Sequence, residues 1–216
     1  MNDIKNIFDE VSKNYDFLNN VISFNTHFLF KKYVVNQLNL KNGIKVLDLC
    51  CGSGDVSKII KKKYSDISVV GVDFSTKMLE IAKKKVDDVV FIEADATNLP
   101  FCDEEFDVVI IGFGLRNIPE IDLALSEVYR VLKKEGQFLN FDFDKASPLF
   151  ILWEKMTLFL LKFFLSDLKN YKYLMQSIKE FYTTEKLIEK FNSHDFKLFC
   201  RKKMLFDIVS YQIVNK

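Results

Sequence analysis

Two glycines follow a short apolar segment in a pattern typical of a turn between a strand and a helix. The turn contains Gly52 and Gly54, and a helix-like stretch starts at Asp55. Glycine lets such a turn approach a ligand closely and adopt positive φ without strain from a Cβ atom. Asp73 stands 19 residues after Gly54, at the end of the next apolar segment, where a carboxylate can accept hydrogen bonds from both hydroxyls of a ribose. A glycine pair alone also fits a tight turn without a ligand, but its combination with Asp73 predicts a nucleoside site.

The same turn argues against a dinucleotide. A dinucleotide-binding turn carries a third glycine and binds a pyrophosphate at the start of its helix. Here Ser57 occupies the third glycine position, and Asp55 would repel a pyrophosphate. Asp48, four residues before Gly52, suits an ammonium group or hydrogen bonds from backbone amides. A ligand with an amino acid at one end and adenosine at the other fits better, which indicates S-adenosylmethionine.

Five further motifs accompany the glycine turn. Asp95-Ala96 comes just before the run NLPF at 98–101, and FGLRN at 113–117 follows the fourth apolar segment. FDxVSxxYDxxN stands at 8–19, and YRVLK and NYxYLxxSI begin at 129 and 170. Together with VLDLCCGSGD and GVDFSTKMLEIAKKK, these motifs resemble the ubiquinone/menaquinone-biosynthesis C-methyltransferases (demethylmenaquinone methyltransferase type), a family of class I S-adenosylmethionine-dependent methyltransferases. The resemblance runs from about residue 5 to about residue 190.

The resemblance implies methylation of a ring carbon of a demethylmenaquinol or a related polyprenyl quinol. We expect Arg116 to stabilise the developing phenolate while a water removes the proton, because a guanidinium is effectively always protonated and is a poor base. Asn117 is expected to orient the same oxygen or that water, and Tyr15 to close over the methionine end of the cofactor. The expected cofactor contacts are Asp48, Gly52, Ser53, Gly54, Asp73, Phe74, Met78, Asp95, Ala96 and Gly112.

The elements that must position these residues alternate between strands and helices. Short, β-branched apolar runs predict strands at 44–50, 67–72, 89–92, Phe106–Gly112 and 137–143, with helices at Asp55–Lys63, Thr76–Lys85 and 121–132. Continuously apolar strands are typical of a parallel sheet that is covered on both faces. We therefore predict an α/β fold: a Rossmann-like, doubly wound, mostly parallel seven-stranded sheet that binds its ligand at the carboxyl ends of the strands. Residues 195–200 and 204–214 predict a C-terminal antiparallel hairpin.

Length and composition fit a single domain over residues 1–216, with an N-terminal helical cover at 1–40 and an inserted helical cover at 148–192. The chain has 31 basic and 30 acidic residues, a net charge of +1, which argues against a nucleic-acid partner. Its four cysteines lack CxxC spacing, so we expect no metal site and no disulfide framework. The first residues lack the pattern of a signal peptide. We expect a cytoplasmic protein.

One apolar segment, at 148–165, bears on the partners of the protein. Glu154, Lys155 and Lys162 interrupt it, so it is not expected to span a membrane. A helix that is apolar over most of its surface packs on the sheet or in a homodimer, or it faces a prenyl tail or the inner surface of the membrane. These alternatives stay open. Many of the 22 phenylalanines lie in the two covers, at 28, 30, 159, 163, 164 and 181, which predicts a pocket for a small apolar acceptor.

Three functions are consistent with these patterns. The first is a C-methyltransferase for a prenylated quinol, and the second is a methyltransferase for another small apolar or phenolic acceptor. The third is an S-adenosylmethionine-binding module without turnover, which need not retain the Arg116-Asn117 pair. Residues 204–211 depart from the family pattern, so methyl transfer is better supported than the identity of the acceptor.

Overall fold

The fold is organised around one central sheet. The computed structural model describes residues 7, 9, 10, 19, 20, 23, 26–144, 149–164 and 169–216, with only the backbone described at 163, 164, 169 and 170. The strands are β1 (Lys45–Leu49), β2 (Ser68–Asp73), β3 (Val90–Glu93), β4 (Phe106–Gly112), β5 (Leu132–Phe143), β6 (Lys197–Met204) and β7 (Val209–Asn215). Their order is β3-β2-β1-β4-β5-β7-β6. β1 to β5 are parallel, and β7 is antiparallel to both of its neighbours.

Helices cover both faces of this sheet. We number them from the first helix that is described along its whole length: α1 (His27–Val35), α2 (Asp55–Lys63), α3 (Thr76–Lys85), α4 (Ile121–Val131), α5 (Phe150–Phe164), α6 (Lys169–Glu180) and α7 (Thr184–Ser193). Positions 7, 9, 10, 19 and 20 are also helical. One 3₁₀ turn, Leu115–Asn117, follows β4; we call it the 115–117 turn.

The sheet separates two apolar cores. Because side chains alternate along a strand, Val46 and Phe141 face α1 and α2, while Leu47 and Phe138 face α4 and α7. The strands are thus buried on both sides, as their continuously apolar sequences predict. The Rossmann-like, mostly parallel seven-stranded sheet and its antiparallel C-terminal hairpin are confirmed.

The boundaries of the elements follow local signals in most places. α2, α3 and β4 have the predicted bounds. α3 begins after Ser75, whose hydroxyl accepts a hydrogen bond from the backbone N–H of Met78 and caps the helix. β5 begins at Leu132 rather than at the predicted residue 137. Leu132 pairs with Phe106, and a register shift then allows an irregular segment within the strand.

α5 and α6 form a separate layer with its own small core. Phe150, Trp153 and Leu161 of α5 pack against Tyr171 and other residues of α6. This spacing buries one face of α5, which agrees with the alternative that part of the helix packs on the domain. Its other side carries large apolar residues that are 43–62% exposed, namely Ile151, Leu152, Met156 and Phe159. Within the part of the chain that the structure describes, no helix is long and apolar enough to cross a membrane.

Candidate functional site

A cleft opens at the carboxyl ends of β1, β2 and β4, where the glycine turn lies. Its volume is about 770 Å³, including the space at its open mouth. Asp48, Ser53, Gly54 and Arg116 are not part of its lining, and Tyr15 lies outside the described residues. The predicted site residues that do line it are Gly52, Asp73, Phe74, Met78, Asp95, Ala96, Gly112 and Asn117.

Asp73 connects two walls of this cleft. Its Oδ2 accepts a hydrogen bond from the backbone N–H of Gly52 at 2.8 Å, and its Oδ1 accepts one from Ser75 at 2.9 Å. Burial raises the pKa of Asp73 to about 6, although these hydrogen bonds act in the opposite direction. Each carboxylate oxygen can accept a second hydrogen bond. Asp73 therefore fixes the glycine turn against the start of α3 and keeps acceptor capacity for a ligand.

The second glycine of the turn has a packing role. Gly54 has φ +80°, and a Cβ atom there would lie 3.1 Å from the Cβ atom of Ala82. Any larger residue would be strained by its backbone angle and would press against α3. We therefore attribute the need for glycine at position 54 to the close packing of the turn on α3. Gly52 (φ +53°), in contrast, lies at the surface of the cleft.

Asp48 supports the turn from within the protein. Its side chain is buried, and Oδ2 accepts hydrogen bonds from the backbone N–H of Ser57 at 2.9 Å and from its hydroxyl at 2.6 Å. Of the two interactions considered for Asp48, the structure contains the hydrogen bond from a backbone amide, which satisfies one free N–H group in the first turn of α2. Burial raises the pKa of Asp48 to about 7.

Asp55, the first residue of α2, lies in a buried cluster of charges. Nζ of Lys31 and Nζ of Lys85 each lie 2.8 Å from its carboxylate. Burial tends to raise the pKa of Asp55, but the two lysines hold it well below its usual range. Lys85 also donates to the hydroxyl of Ser53 at 2.8 Å. The negative charge of Asp55 is thus compensated, and the expectation that Asp55 would repel a pyrophosphate is wrong.

The lining of the cleft provides a better argument about ligand charge. It contains three acidic residues, Asp73, Asp95 and Glu120, and the described lining contains no lysine, arginine or histidine. Acidic groups favour a cation and disfavour a phosphate in a partly enclosed cleft. A ligand with a sulfonium and an ammonium group therefore fits this lining better than a dinucleotide does.

Arg116 lies beside the cleft in the 115–117 turn, and its side chain is only 6% exposed. Nε donates to the hydroxyl of Ser177 at 3.3 Å, and Nη1 donates to the carbonyl of Phe113 at 2.7 Å and to Oδ1 of Asp142. The guanidinium also lies over the ring of Phe143, 5.5 Å from its centroid. These contacts use all three hydrogens of Nε and Nη1. Nη2 makes no hydrogen bond with any described residue.

The side chain of Asn117 is fixed by a hydrogen bond from α6. Tyr173 of α6 donates to its Oδ1 at 3.1 Å, and its Nδ2 lies 3.4 Å from the carbonyl of Phe113. Burial raises the pKa of Tyr173, so its hydroxyl stays a donor at neutral pH. Tyr173 and Ser177 are four residues apart on α6, and this one helix face therefore contacts both Asn117 and Arg116.

Asp142, at the end of β5, completes the surroundings of Arg116. It is buried, and its Oδ1 accepts from Arg116 and from the backbone N–H of Phe143 at 2.8 Å. Oδ2 is buried and has no hydrogen-bond partner among the described residues. Burial raises the pKa of Asp142, and Arg116 counteracts that effect.

Sequence reasoning did not select Asp142, Tyr173 or Ser177 as site residues. They lie 26, 56 and 61 positions from the residues they contact, so no local motif connects them. Tyr173 and Ser177 do belong to the NYxYLxxSI motif that begins at 170, and their i, i+4 spacing on a predicted cover helix was a further signal. No comparable signal marked Asp142.

Comparisons with known proteins agree with this architecture. The profile of the ubiE/COQ5 methyltransferase family matches residues 1–216. The chain is 39% identical to a demethylmenaquinone methyltransferase of Staphylococcus saprophyticus, covering 89% of this chain and 87% of that protein. It is 37% identical to one of Staphylococcus aureus, covering 89% and 84%. Among solved structures, it resembles a SAM-dependent methyltransferase of Thermotoga maritima, with TM-score 0.72, 24% identity and coverage of 98% and 99%. A SAM-dependent methyltransferase of Aquifex aeolicus has TM-score 0.66, 16% identity and coverage of 86% and 88%.

Proposed function

The chain belongs to the ubiE/COQ5 methyltransferase family, and we propose that it transfers the methyl group of S-adenosylmethionine to a ring carbon of a demethylmenaquinol, leaving S-adenosylhomocysteine. The names of the Staphylococcus relatives support this acceptor. The observation that carries the proposal is the arrangement of Arg116. Its guanidinium is fixed next to an acid-lined cleft by three contacts, none of which uses the two hydrogens of Nη2.

The cleft residues suit S-adenosylmethionine, which supplies a methyl group on a positively charged sulfur when bound. We assign the ribose hydroxyls to the carboxylate of Asp73 and the adenine to Asp95 and the backbone N–H of Ala96. Gly52 allows close approach of the amino-acid end. Gly112 lines the cleft at the end of β4, and its lack of a Cβ atom leaves room for the buried ring of Phe141, which would lie 2.2 Å from that atom. Phe74 and Met78 supply apolar contacts, while Asp48, Ser53 and Gly54 act by shaping the turn.

Arg116 and Asn117 act on the acceptor. Ionisation of a ring hydroxyl makes the neighbouring ring carbon more nucleophilic, and we assign removal of that proton to a water molecule. The ring carbon then takes the methyl group as the sulfur–methyl bond breaks, its electrons staying on sulfur. The hydrogen of the methylated carbon leaves as a proton and the ring oxygen is reprotonated, which restores the aromatic ring. The two hydrogens of Nη2 then stabilise the negative oxygen, as donors fixed in advance do for other oxyanions. Asn117 orients the same oxygen, and the hydrogen bond from Tyr173 fixes which end of the Asn117 amide faces that oxygen. We assign Tyr15 to closing the methionine end of the cleft. Holding the ring carbon in line with the methyl group supplies much of the remaining rate enhancement.

The experiment that tests this function compares methyl transfer with cofactor binding. We expect the wild type to methylate demethylmenaquinol, and Arg116→Ala to lose about 100- to 1,000-fold in kcat, as for removal of one oxyanion donor. The dissociation constant of S-adenosylhomocysteine, measured by calorimetry, should stay unchanged. Arg201→Ala is the control, because Arg201 is exposed on β6. Absence of methylation by the wild type would contradict the proposed acceptor, and an equal loss of cofactor binding would contradict the role of Arg116.

We further propose that the exposed face of α5 contacts the membrane in which a prenylated quinol dissolves. Ile151, Leu152 and Phe159 are 60–62% exposed, and the exposed Lys155 and Lys162 lie on the same helix. Apolar side chains next to lysines are typical of helices that lie in the interface of anionic bilayers. A homodimer that buries this face is the competing explanation.

Vesicle flotation tests the membrane contact. We expect the wild type to float with anionic vesicles and the double variant Ile151→Asp/Phe159→Asp to remain in solution. Leu123→Asp is the matched control, because Leu123 is a 56% exposed apolar residue on α4. Light scattering on the same samples measures the oligomeric state. Failure of the wild type to float would contradict the proposal, and a dimer that dissociates in the double variant would assign this face to the homodimer.

A further inference from the structure

The charge of Arg116 is matched by a carboxylate that takes no part in lining the cleft. Asp142 is 2% exposed, Arg116 is 6% exposed, and the two form a direct ion pair. A buried arginine without a partner would attract any anionic group that entered the neighbouring cleft. The ion pair with Asp142 removes most of that attraction and does not use the hydrogens of Nη2.

Asp142 also determines how the guanidinium is oriented. Its Oδ1 accepts one hydrogen of Nη1, and the carbonyl of Phe113 accepts the other. Because the guanidinium group is planar and its five donors are fixed relative to one another, fixing Nη1 and Nε also fixes the direction of Nη2. The orientation of Nη2 therefore depends on Asp142, although Asp142 itself does not contact the acceptor.

From this arrangement we infer that Asp142 is a positioning and specificity residue that acts through Arg116: it directs Nη2 at a ring hydroxyl and makes the acceptor site prefer a neutral dihydroxy ring over a ring that carries a carboxylate. This inference rests on the proposed function. It adds the residue that sets the orientation of Arg116 and the charge preference of the acceptor site.

Asp142→Asn separates the two contributions of this residue. Oδ1 makes both observed hydrogen bonds of the carboxylate, whereas Oδ2 makes none with a described residue. An asparagine can place its oxygen at the Oδ1 position and its amide nitrogen at the Oδ2 position. It thereby keeps the orientation of Arg116 and removes only the negative charge. Asp142→Ala removes both contributions.

The test measures the binding of two ring probes without prenyl tails, a dihydroxynaphthalene and the same ring with one carboxylate, to protein saturated with S-adenosylhomocysteine. We expect the wild type to favour the neutral ring at least about tenfold, and Asp142→Asn to shift this ratio at least about tenfold toward the carboxylated ring. Asp142→Ala should weaken the neutral ring as well. Asp107→Asn is the control, because Asp107 pairs with Lys133 outside the cleft lining.

Each outcome bears on the inference. A wild type that binds both rings equally overturns it, and this arm does not depend on the folding of a variant. An unchanged ratio in Asp142→Asn with intact binding of S-adenosylhomocysteine also overturns it. Failure of the wild type to bind either ring would contradict the proposed acceptor class and with it this inference. Binding with an unchanged ratio contradicts this inference alone.

Discussion

The carboxylate of Asp73 predicts a pH dependence of cofactor affinity. Burial raises its pKa to about 6 in the free protein, so the group is protonated in a growing fraction of molecules below that pH. We have assigned the ribose hydroxyls to this carboxylate, and they donate more strongly to the ionised form than to the neutral one. Affinity should therefore be constant above about pH 7 and should fall as the pH decreases through 6.

The magnitude follows from two hydrogen bonds. A hydrogen bond to a charged acceptor exceeds a neutral one by about 1 kcal/mol, so two of them favour the ionised form by about 2 kcal/mol, or about 30-fold in affinity. Linkage then lowers the pKa of Asp73 in the complex by about 1.5 units, to about 4.5. The decrease in affinity should span about pH 6 to pH 4.5, and affinity at pH 5 should be about eightfold weaker than at pH 8.

Calorimetry with S-adenosylhomocysteine at a series of pH values between 4.5 and 8 measures this profile. Asp73→Asn should bind about 30-fold more weakly at pH 8 and show a flat profile. Its unfolding should be followed as well, because both oxygens of Asp73 accept backbone hydrogen bonds and an amide cannot replace both. Glu120→Gln, a change at an exposed acid of the same cleft, should keep the wild-type profile. A wild-type affinity that is constant down to pH 5, or a pH-dependent Asp73→Asn, would refute the reasoning.

Three other substitutions test how the site is built. The pKa of Asp48 in the folded state is about 7 and exceeds its usual value. This group should therefore make the free energy of unfolding fall by up to about 4 kcal/mol as the pH rises from 4 to 7. Asp48→Asn keeps an acceptor oxygen, and denaturant titrations of this variant should show a smaller pH dependence of the free energy of unfolding. Tyr173→Phe removes the hydroxyl that fixes Asn117, and we expect about tenfold lower kcat with unchanged affinity for S-adenosylhomocysteine. Gly114→Ala would place a Cβ atom 2.4 Å from the Cβ atom of Cys50. This clash should lower the free energy of unfolding by about 1–3 kcal/mol. Cys50→Gly in the same chain removes the clashing atom and should restore much of the loss, since Cys50 also has positive φ.

Most of the fold is predictable because its signals are local. The bounds of α2, α3 and β4 depend on glycines, a serine cap and uninterrupted apolar runs, each of which acts within a few residues. The phenylalanines are a counterexample, since composition does not reveal where side chains pack. Phe30 and Phe181, expected to form an acceptor pocket in the covers, are buried in the two main cores. Phe106 and Phe138 are fully buried in strands of the sheet.

The residues of the site also differ in whether local sequence or the folded chain brings them together. Gly52 and Asp73 have a fixed spacing across one βα unit, so sequence alone brings both to the cleft. Arg116 is also visible in a motif, but the properties of its side chain depend on residues from β5 and α6 that only the folded chain brings together. A sequence can therefore indicate that an arginine lies beside the cleft without indicating that Asp142 compensates its charge.

That compensation affects reactivity as well as binding. An unpaired guanidinium would bind a negative ring oxygen tightly, and the same attraction would withdraw electron density from the ring carbon that must attack the methyl group. In the proposed reaction, the two hydrogens of Nη2 favour ionisation of a hydroxyl, while the ion pair of Arg116 with Asp142 adds little net positive charge to the acceptor. The acids of the cofactor side, Asp73 and Asp95, in turn favour the sulfonium. We infer that this separation of charge lets the protein hold a cation next to an ionised ring without reducing the nucleophilicity of the carbon between them.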